Sequence, residues 1–345
     1  MHKSYFVNVK KTSDSYLLFW QPSKEQAGIS VRPVASKKSG VNHMNLTHIY
    51  ESCCLCPRNC RVNRYANTGV CGCGHTVKAA RAALHHWEEP CISGTRGSGT
   101  VFFSGCTLGC CFCQNYSISQ ENFGREITSK ELSHIFLRLQ EKGAHNINLV
   151  TATQYLPSIL EALDLIKSCL FIPVVYNCGG YESEEIVKEL SSYVDIWLPD
   201  LKYFSTELSS RYSKAPGYFE AASKAIKQMI LQTGAPQFDS HGDIMKKGVI
   251  IRHMVLPGAK EDSIRLLHWM KEALPEGMYY ISLMSQYTPF YKSGNFPEIN
   301  RRITSYEYGK VVDEAIRLGL DQGFMQEKSS AKEEYTPPFD LEGIE

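Results

Sequence analysis

A chain of 345 residues allows about two domains, or one β/α barrel of roughly 200 to 250 residues with an appendage. Lys and Arg number 37 against 36 Asp and Glu, so a net charge near +1 offers no global field for gripping nucleic acid or an anionic membrane. With 43% hydrophobic residues but no apolar run of the 18 or more that a spanning helix needs, the composition predicts a sizeable buried core and no membrane span.

Residues 1 to about 45 are polar and Lys/Ser-rich, and read as a loosely attached extension. An organelle-targeting peptide, or an over-extended start ahead of Met44, are the other readings, so the cytoplasm is the expected location and an organelle matrix the alternative. Residues 46–96 are Cys-rich with little hydrophobic periodicity, which calls for something other than a core to order them. The chain has 13 cysteines: six lie between Cys53 and Cys73, four between Cys106 and Cys113, with Cys91 in between. Such clustering in a reducing compartment reads as metal ligation rather than disulfide bonding. Cys53, Cys56, Cys60 and Cys71, with Gly69 and Gly72 for sharp turns, form a candidate four-thiolate site for zinc or an auxiliary iron-sulfur cluster. Free or redox thiols are the alternative, and Cys54 or Cys73 are substitute ligands. His85, His86, Glu88 and Glu89 lead toward the first barrel strand, but consecutive residues point different ways and none receives a role.

Between 97 and 322, short apolar runs alternate with amphipathic stretches, which predicts a parallel β/α architecture. The strand candidates are Thr100 to Ser104, Asn146 to Thr151, Pro173 to Asn177, Asp195 to Leu201, Val249 to Leu256 and Tyr279 to Met284. Thr128 and Glu131 make a capping box opening one helix, and Pro157 marks the first turn of another whose Ile159, Leu163, Ile166 and Leu170 recur at helical spacing. On the fifth strand Arg252 and His253 face opposite sides, and Arg252 is kept out of the predicted site. Residues 323–345, ending near Tyr335-Thr336-Pro337-Pro338-Phe339, read as an extended tail.

The strongest chemical signal is Cys106, Cys110 and Cys113, a C-x3-C-x2-C loop directly after the first strand and its Ser104-Gly105 turn. Structural zinc and ordinary electron-transfer clusters take four protein ligands, so three thiolates point to a [4Fe-4S] cluster with one iron open. The amino and carboxylate groups of S-adenosylmethionine (SAM) suit that iron, and one electron would then release methionine and a 5′-deoxyadenosyl radical. Active sites of β/α barrels lie at strand C-termini, where this loop falls. Cys111 has no ligand role in this reading.

Three stretches carry a resemblance: Ser52-Cys53-Cys54-Leu55-Cys56-Pro57-Arg58-Asn59-Cys60, His85-His86-Trp87-Glu88-Glu89-Pro90-Cys91-Ile92-Ser93-Gly94, and Gly97-Ser98-Gly99-Thr100-Val101-Phe102-Phe103-Ser104-Gly105-Cys106. The chain resembles the radical SAM superfamily from roughly Ser52 to Leu320, and within it the PflX-type group similar to pyruvate formate-lyase activating enzyme. That resemblance implies a partial (β/α)6 TIM-like barrel and SAM contacts at the ends of later strands. Asp200 and Lys202 match the Asp-x-Lys element of the activases, and Thr151 ends the second strand, so these become expected cofactor contacts. Asn177-Cys178-Gly179-Gly180 stands where activases carry Asp-Thr-Asn-Gly, so the amide of Asn177 replaces a carboxylate near the ribose. The histidine familiar near the sixth strand is replaced by the Met284-Ser285-Gln286-Tyr287 region.

The expected function is radical abstraction of hydrogen from an unidentified substrate, with a glycyl-radical enzyme as the activase-like choice. The expected partner is an electron donor such as flavodoxin or ferredoxin. A non-catalytic iron-sulfur redox or scaffold protein is one alternative, and a radical SAM enzyme acting on a small metabolite or RNA is another.

Overall fold

The computed structural model describes residues 6–7, 9–12, 15–18, 46–326 and 337–344. Most of the expected 1–45 extension, and the 327–336 part of the expected tail including Tyr335-Thr336, lie outside the described residues. Three short strands come first: β1 (Phe6–Val7), β2 (Val9–Thr12) and β3 (Ser15–Leu18). They are followed by β4 (Val77–His85), β5 (Ser98–Phe103), β6 (Arg125–Ile127), β7 (Ile147–Val150), β8 (Val174–Cys178) and β9 (Ile196–Pro199). The last are β10 (Gln237–Phe238), β11 (Met245–Met254), β12 (Tyr280–Met284) and β13 (Gly323–Gln326).

The main sheet runs β1-β13-β12-β11-β9-β8-β7-β5-β4-β6 and stays open. From β5 through β7, β8, β9, β11 and β12 to β13 every neighbour is parallel, while β4 and β6 add antiparallel strands at one edge. All residues of β5, β7, β8 and β9 are buried, because helices cover one face and the curved sheet encloses the other. The six predicted strands correspond to β5, β7, β8, β9, β11 and β12, with ends shifted by at most four residues.

The outer helices are α3 (Ser129–Glu141), α4 (Leu156–Leu165), α5 (Glu184–Glu189), α6 (Thr206–Ser213), α7 (Tyr218–Thr233), α8 (Lys260–Ala273) and α9 (Ser305–Arg317); two single turns, α1 (Pro90–Ser93) and α2 (Tyr116–Ser119), precede them. Thr128 caps α3 as predicted: its Oγ1 accepts from Glu131 N at 3.2 Å, and its own N–H donates to Glu131 Oε2 at 2.7 Å. Pro157 sits in the first turn of α4, and Leu170 lies beyond that helix's end.

The tail expected over 323–345 needs correction. Gly323–Gln326 is a seventh parallel strand, paired with β12 on one side and β1 on the other. Gly323 opens this short segment and interrupts any apolar run, so its order as a strand comes from the partners. A Cβ at position 323 would run into the Ile281 backbone, so the close approach to β12 requires glycine. Residues 337–344 dock along the β4 edge, where Leu341 N donates to Ala80 O at 3.0 Å and Ala82 N to Glu342 O at 2.8 Å. Phe339 meets Phe102 edge-on with 5.5 Å between ring centroids.

The floor of the barrel is closed from inside. α1 enters the N-terminal end of the sheet, where Cys91 and Ile92 pack on Val175, Ile196, Leu198, Met245 and Ile250. Asn146 Nδ2 donates to Ile92 O at 2.8 Å and fixes this turn beneath β7. Among the described residues, no helix is long and apolar enough to cross a membrane.

Candidate active site at the strand ends

The three-cysteine loop leaves β5 through Gly105, whose φ of 78° belongs to glycine and whose missing Cβ leaves room for Cys73 Sγ. The loop is then pinned from two sides. Gly109 N donates to Ser213 O at 3.0 Å and Cys111 N to Tyr212 O at 2.8 Å, while Lys292 N donates to Cys111 O at 2.8 Å. Each predicted ligand sulfur meets one polar partner: Leu108 N donates to Cys106 Sγ at 3.4 Å, Ser213 Oγ lies 2.9 Å from Cys110 Sγ, and Ser119 Oγ lies 3.2 Å from Cys113 Sγ. Burial pushes all three thiols up, Cys113 to about 11, and repulsion from Cys110 adds to it at Cys106 and Cys113. Three crowded thiols shielded from water hold negative charge poorly by themselves, so the site fits a cationic iron-sulfur cluster that neutralises them.

Asp200, Lys202 and Asn177 come together in the upper lumen, around a residue outside the predicted site. Arg252 projects inward from β11 and donates to Asp200 Oδ1 at 2.9 Å, to Asn177 Oδ1 at 2.6 Å and to Glu88 Oε2 at 3.3 Å. Glu88 Oε1 also accepts from Asn148 Nδ2 and Asn177 Nδ2, both at 3.1 Å. Lys202 Nζ donates to Asp200 Oδ2 at 2.6 Å. Burial opposes charge on Asp200, but the Arg252 guanidinium and then Lys202 overcome it and hold the carboxyl below its usual range. Burial also opposes charge on Lys202, and the Asp200 carboxylate reverses that and raises it, with the Cys110 thiol facing the same ammonium. Glu89, buried beside Glu88, is pushed up to about 7 by desolvation. Its Oε2 and the Oδ1 of Asn148 are buried without hydrogen-bond partners in the protein. Orphaned acceptors beside an Asp, Lys and Arg set fit a polar zwitterion that brings its own donors.

Thr151, the fourth expected cofactor contact, follows β7 with φ of 58°, a left-handed backbone rare for a β-branched residue. Its N–H donates to Asn177 O at 2.9 Å, which ties it to the same rim. His253 faces outward: its ring nitrogens lie 2.6 Å from Leu201 O and 2.8 Å from Ser263 Oγ. His85 is held neutral by burial, with its pKa lowered to about 4, and the His86 ring packs on Gly97. Glu88 and Arg252 are thus the site residues that sequence reasoning left without a role. The signal for Arg252 was the two-residue alternation Val249, Ile251, His253 against Ile250 and Arg252, readable only once one face is known to be the lumen.

The second cysteine group shares one cavity: Cys53, Cys56, Cys60 and Cys71 line it, adjoining Thr107 of the first loop. Cys54 is exposed, and Cys73 Sγ turns toward Cys71 O and Ser104 O at 3.4 and 3.5 Å. Among the described residues no three His, Cys, Asp or Glu side chains converge on one ion position.

Residues 100–270 match the family model of the Radical SAM superfamily. An uncharacterized protein of Methanocaldococcus jannaschii is 31% identical over 284 residues, covering 79% of this chain and 77% of that protein. SuiB of Streptococcus suis, solved bound to S-adenosylmethionine, shares 12% identity over 68% of this chain at a TM-score of 0.44, and the match spans 52% of SuiB, about half its length. A domain of pyruvate-formate lyase-activating enzyme from Bacteroides vulgatus shares 14% identity at a TM-score of 0.35, over 49% of this chain and 91% of that domain. The family-model match carries the conclusion that this chain belongs to the radical SAM superfamily, enzymes that work with a [4Fe-4S] cluster and SAM.

Proposed function

We propose that Cys106, Cys110 and Cys113 hold the [4Fe-4S] cluster, and that the chain uses SAM to abstract hydrogen from a backbone glycine of a partner enzyme. The observation that carries the first half is the three-thiol loop at the end of β5, each sulfur with its own polar partner, opening on the Asp200, Lys202 and Arg252 network. When bound, cluster and SAM supply a one-electron cleavage that yields the 5′-deoxyadenosyl radical. Lys202 and Arg252 are positioned to meet a carboxylate, and Asp200 an ammonium or hydroxyl; Asn177 and Thr151 contribute neutral polar contacts at the rim. The buried side chains of the lumen close the space off from solvent and keep competing hydrogen donors away from a carbon radical. The glycyl target rests on the Asp200-Leu201-Lys202 match to the activases, and the electron on a donor such as flavodoxin or ferredoxin.

Anaerobic reconstitution with iron and sulfide, followed by dithionite and SAM, is expected to yield 5′-deoxyadenosine, and Cys106→Ala to yield none. A wild-type protein that holds a full cluster and makes no 5′-deoxyadenosine refutes the enzymatic reading. Incubation with candidate partner enzymes is expected to produce a glycyl-radical electron resonance doublet. Turnover of SAM without that signal in any partner would leave the chemistry and remove the activase assignment.

A further inference from the structure

Arg64 is a buried cation whose described contacts include no carboxylate. It is 2% exposed, donates from Nε to Gly74 O at 3.2 Å, and points Nη1 at Cys53 Sγ across 3.6 Å. Its guanidinium lies 5.3 Å from the Tyr50 ring centroid, and among the described residues no carboxylate pairs with it. A guanidinium removed from water needs an anion, because the desolvation cost is otherwise uncompensated. The side chains gathered around it are thiols: Cys53 Sγ faces its Nη1, and Cys53, Cys56, Cys60 and Cys71 line the same cavity. A Cβ placed on Gly69 would lie 3.3 Å from Cys71 Sγ and 3.6 Å from Cys60 Sγ, so these two sulfurs flank one point.

We infer that Cys53, Cys56, Cys60 and Cys71, which line one cavity but do not converge on a single ion position in this structure, close around a metal as a tetrathiolate centre, a zinc ion or an iron-sulfur cluster, separate from the three-thiol loop. Four thiolates around either species leave a net double negative charge, and the two arginines lining the cavity, Arg58 and Arg64, match it. The backbone points the same way. Asn59 and Arg61 hold left-handed φ values of 43° and 55° on either side of Cys60, a strain that persists only where something over-determines the loop. No hydrophobic periodicity orders this segment, whereas metal binding orders such loops directly. The centre abuts the first loop, since Arg58 Nε donates to Thr107 O at 2.9 Å.

The test uses the full chain with Cys106, Cys110 and Cys113 all changed to Ala, purified anaerobically and analysed for zinc, iron and acid-labile sulfide before and after reconstitution. About one zinc without sulfide, or about four irons with matching sulfide, is expected per chain; the first outcome identifies zinc and the second a cluster. Adding Cys56→Ser and Cys71→Ser to this variant is expected to abolish retention of that metal. A cradle-less chain that holds neither metal, or a doubly substituted one that keeps its full complement, overturns the inference. If the further variant does not fold, X-ray absorption of the cradle-less chain decides: four sulfur neighbours are expected, and nitrogen or oxygen ligation overturns it. None of these readouts depends on SAM cleavage.

Discussion

Arg252 is the cation on which the upper lumen depends, because Glu88, Asp200 and Asn177 all accept from it. Arg252→Leu would leave two carboxylates facing each other in a desolvated space. The expected cost is about 3 to 5 kcal/mol, measured as the loss of unfolding free energy in urea under anaerobic conditions. A loss below about 1 kcal/mol would mean that the network is solvated and contributes little. Glu182 makes a separate pH prediction. Its carboxylate accepts from Thr153 Oγ1 at 2.9 and 3.0 Å, and burial raises its pKa to about 8, against roughly 4.3 in an unfolded chain. Between those values the folded protein keeps a proton that the unfolded chain has released, so its stabilising contribution is complete at low pH and is lost as pH climbs through 8. Glu182→Gln is expected to flatten the fall in melting temperature over this window, and an unchanged slope would assign it to other groups. At this scale the sequence was legible where spacing alone gathers residues, as with the cysteines of the loop after β5 and those that line one cavity. It was not legible where orientation decides, since the neighbours Arg252 and His253 differ only in which side of β11 they face.

At the scale of elements, six of the seven parallel strands announced themselves as short apolar runs, and α3 as a capping box. What stayed hidden owes its order to neighbours. β13 is four residues long and depends on β12, and α1 is a single turn that no periodicity could mark. That turn carries a prediction of its own. Ile92 is fully buried in the barrel floor, and Ile92→Ala is expected to cost about 2 to 5 kcal/mol, read by calorimetry. It should also weaken SAM binding, measured by equilibrium titration, because Glu88 enters the lumen on the same short segment. Destabilisation with undiminished affinity would separate the floor from the pocket.

For the whole molecule, the open sheet needs its β4 edge covered, and residues 337–344 do so. Arg81 donates to Asp340 Oδ1 at 2.6 Å and also pairs with Glu342, but those carboxylates are half exposed and such pairs are worth about 0 to 1 kcal/mol. The packing of Phe339 on Phe102 is the firmer hold. Phe339→Ala is therefore expected to raise the hydrogen-exchange rate of the Ala82 amide, which donates to Glu342 O, more than Arg81→Ala does. The reverse order would make the ion pairs the anchor.

The inserted turn beneath the lumen has a consequence for how variants of this protein distribute. In most barrels the two ends are separable, with substitutions at the bottom altering robustness and those at the top altering chemistry. Here one stretch of six residues, Glu88 to Ser93, runs from one end toward the other, so a library screened for lost turnover should return hits at the end opposite the three-cysteine loop.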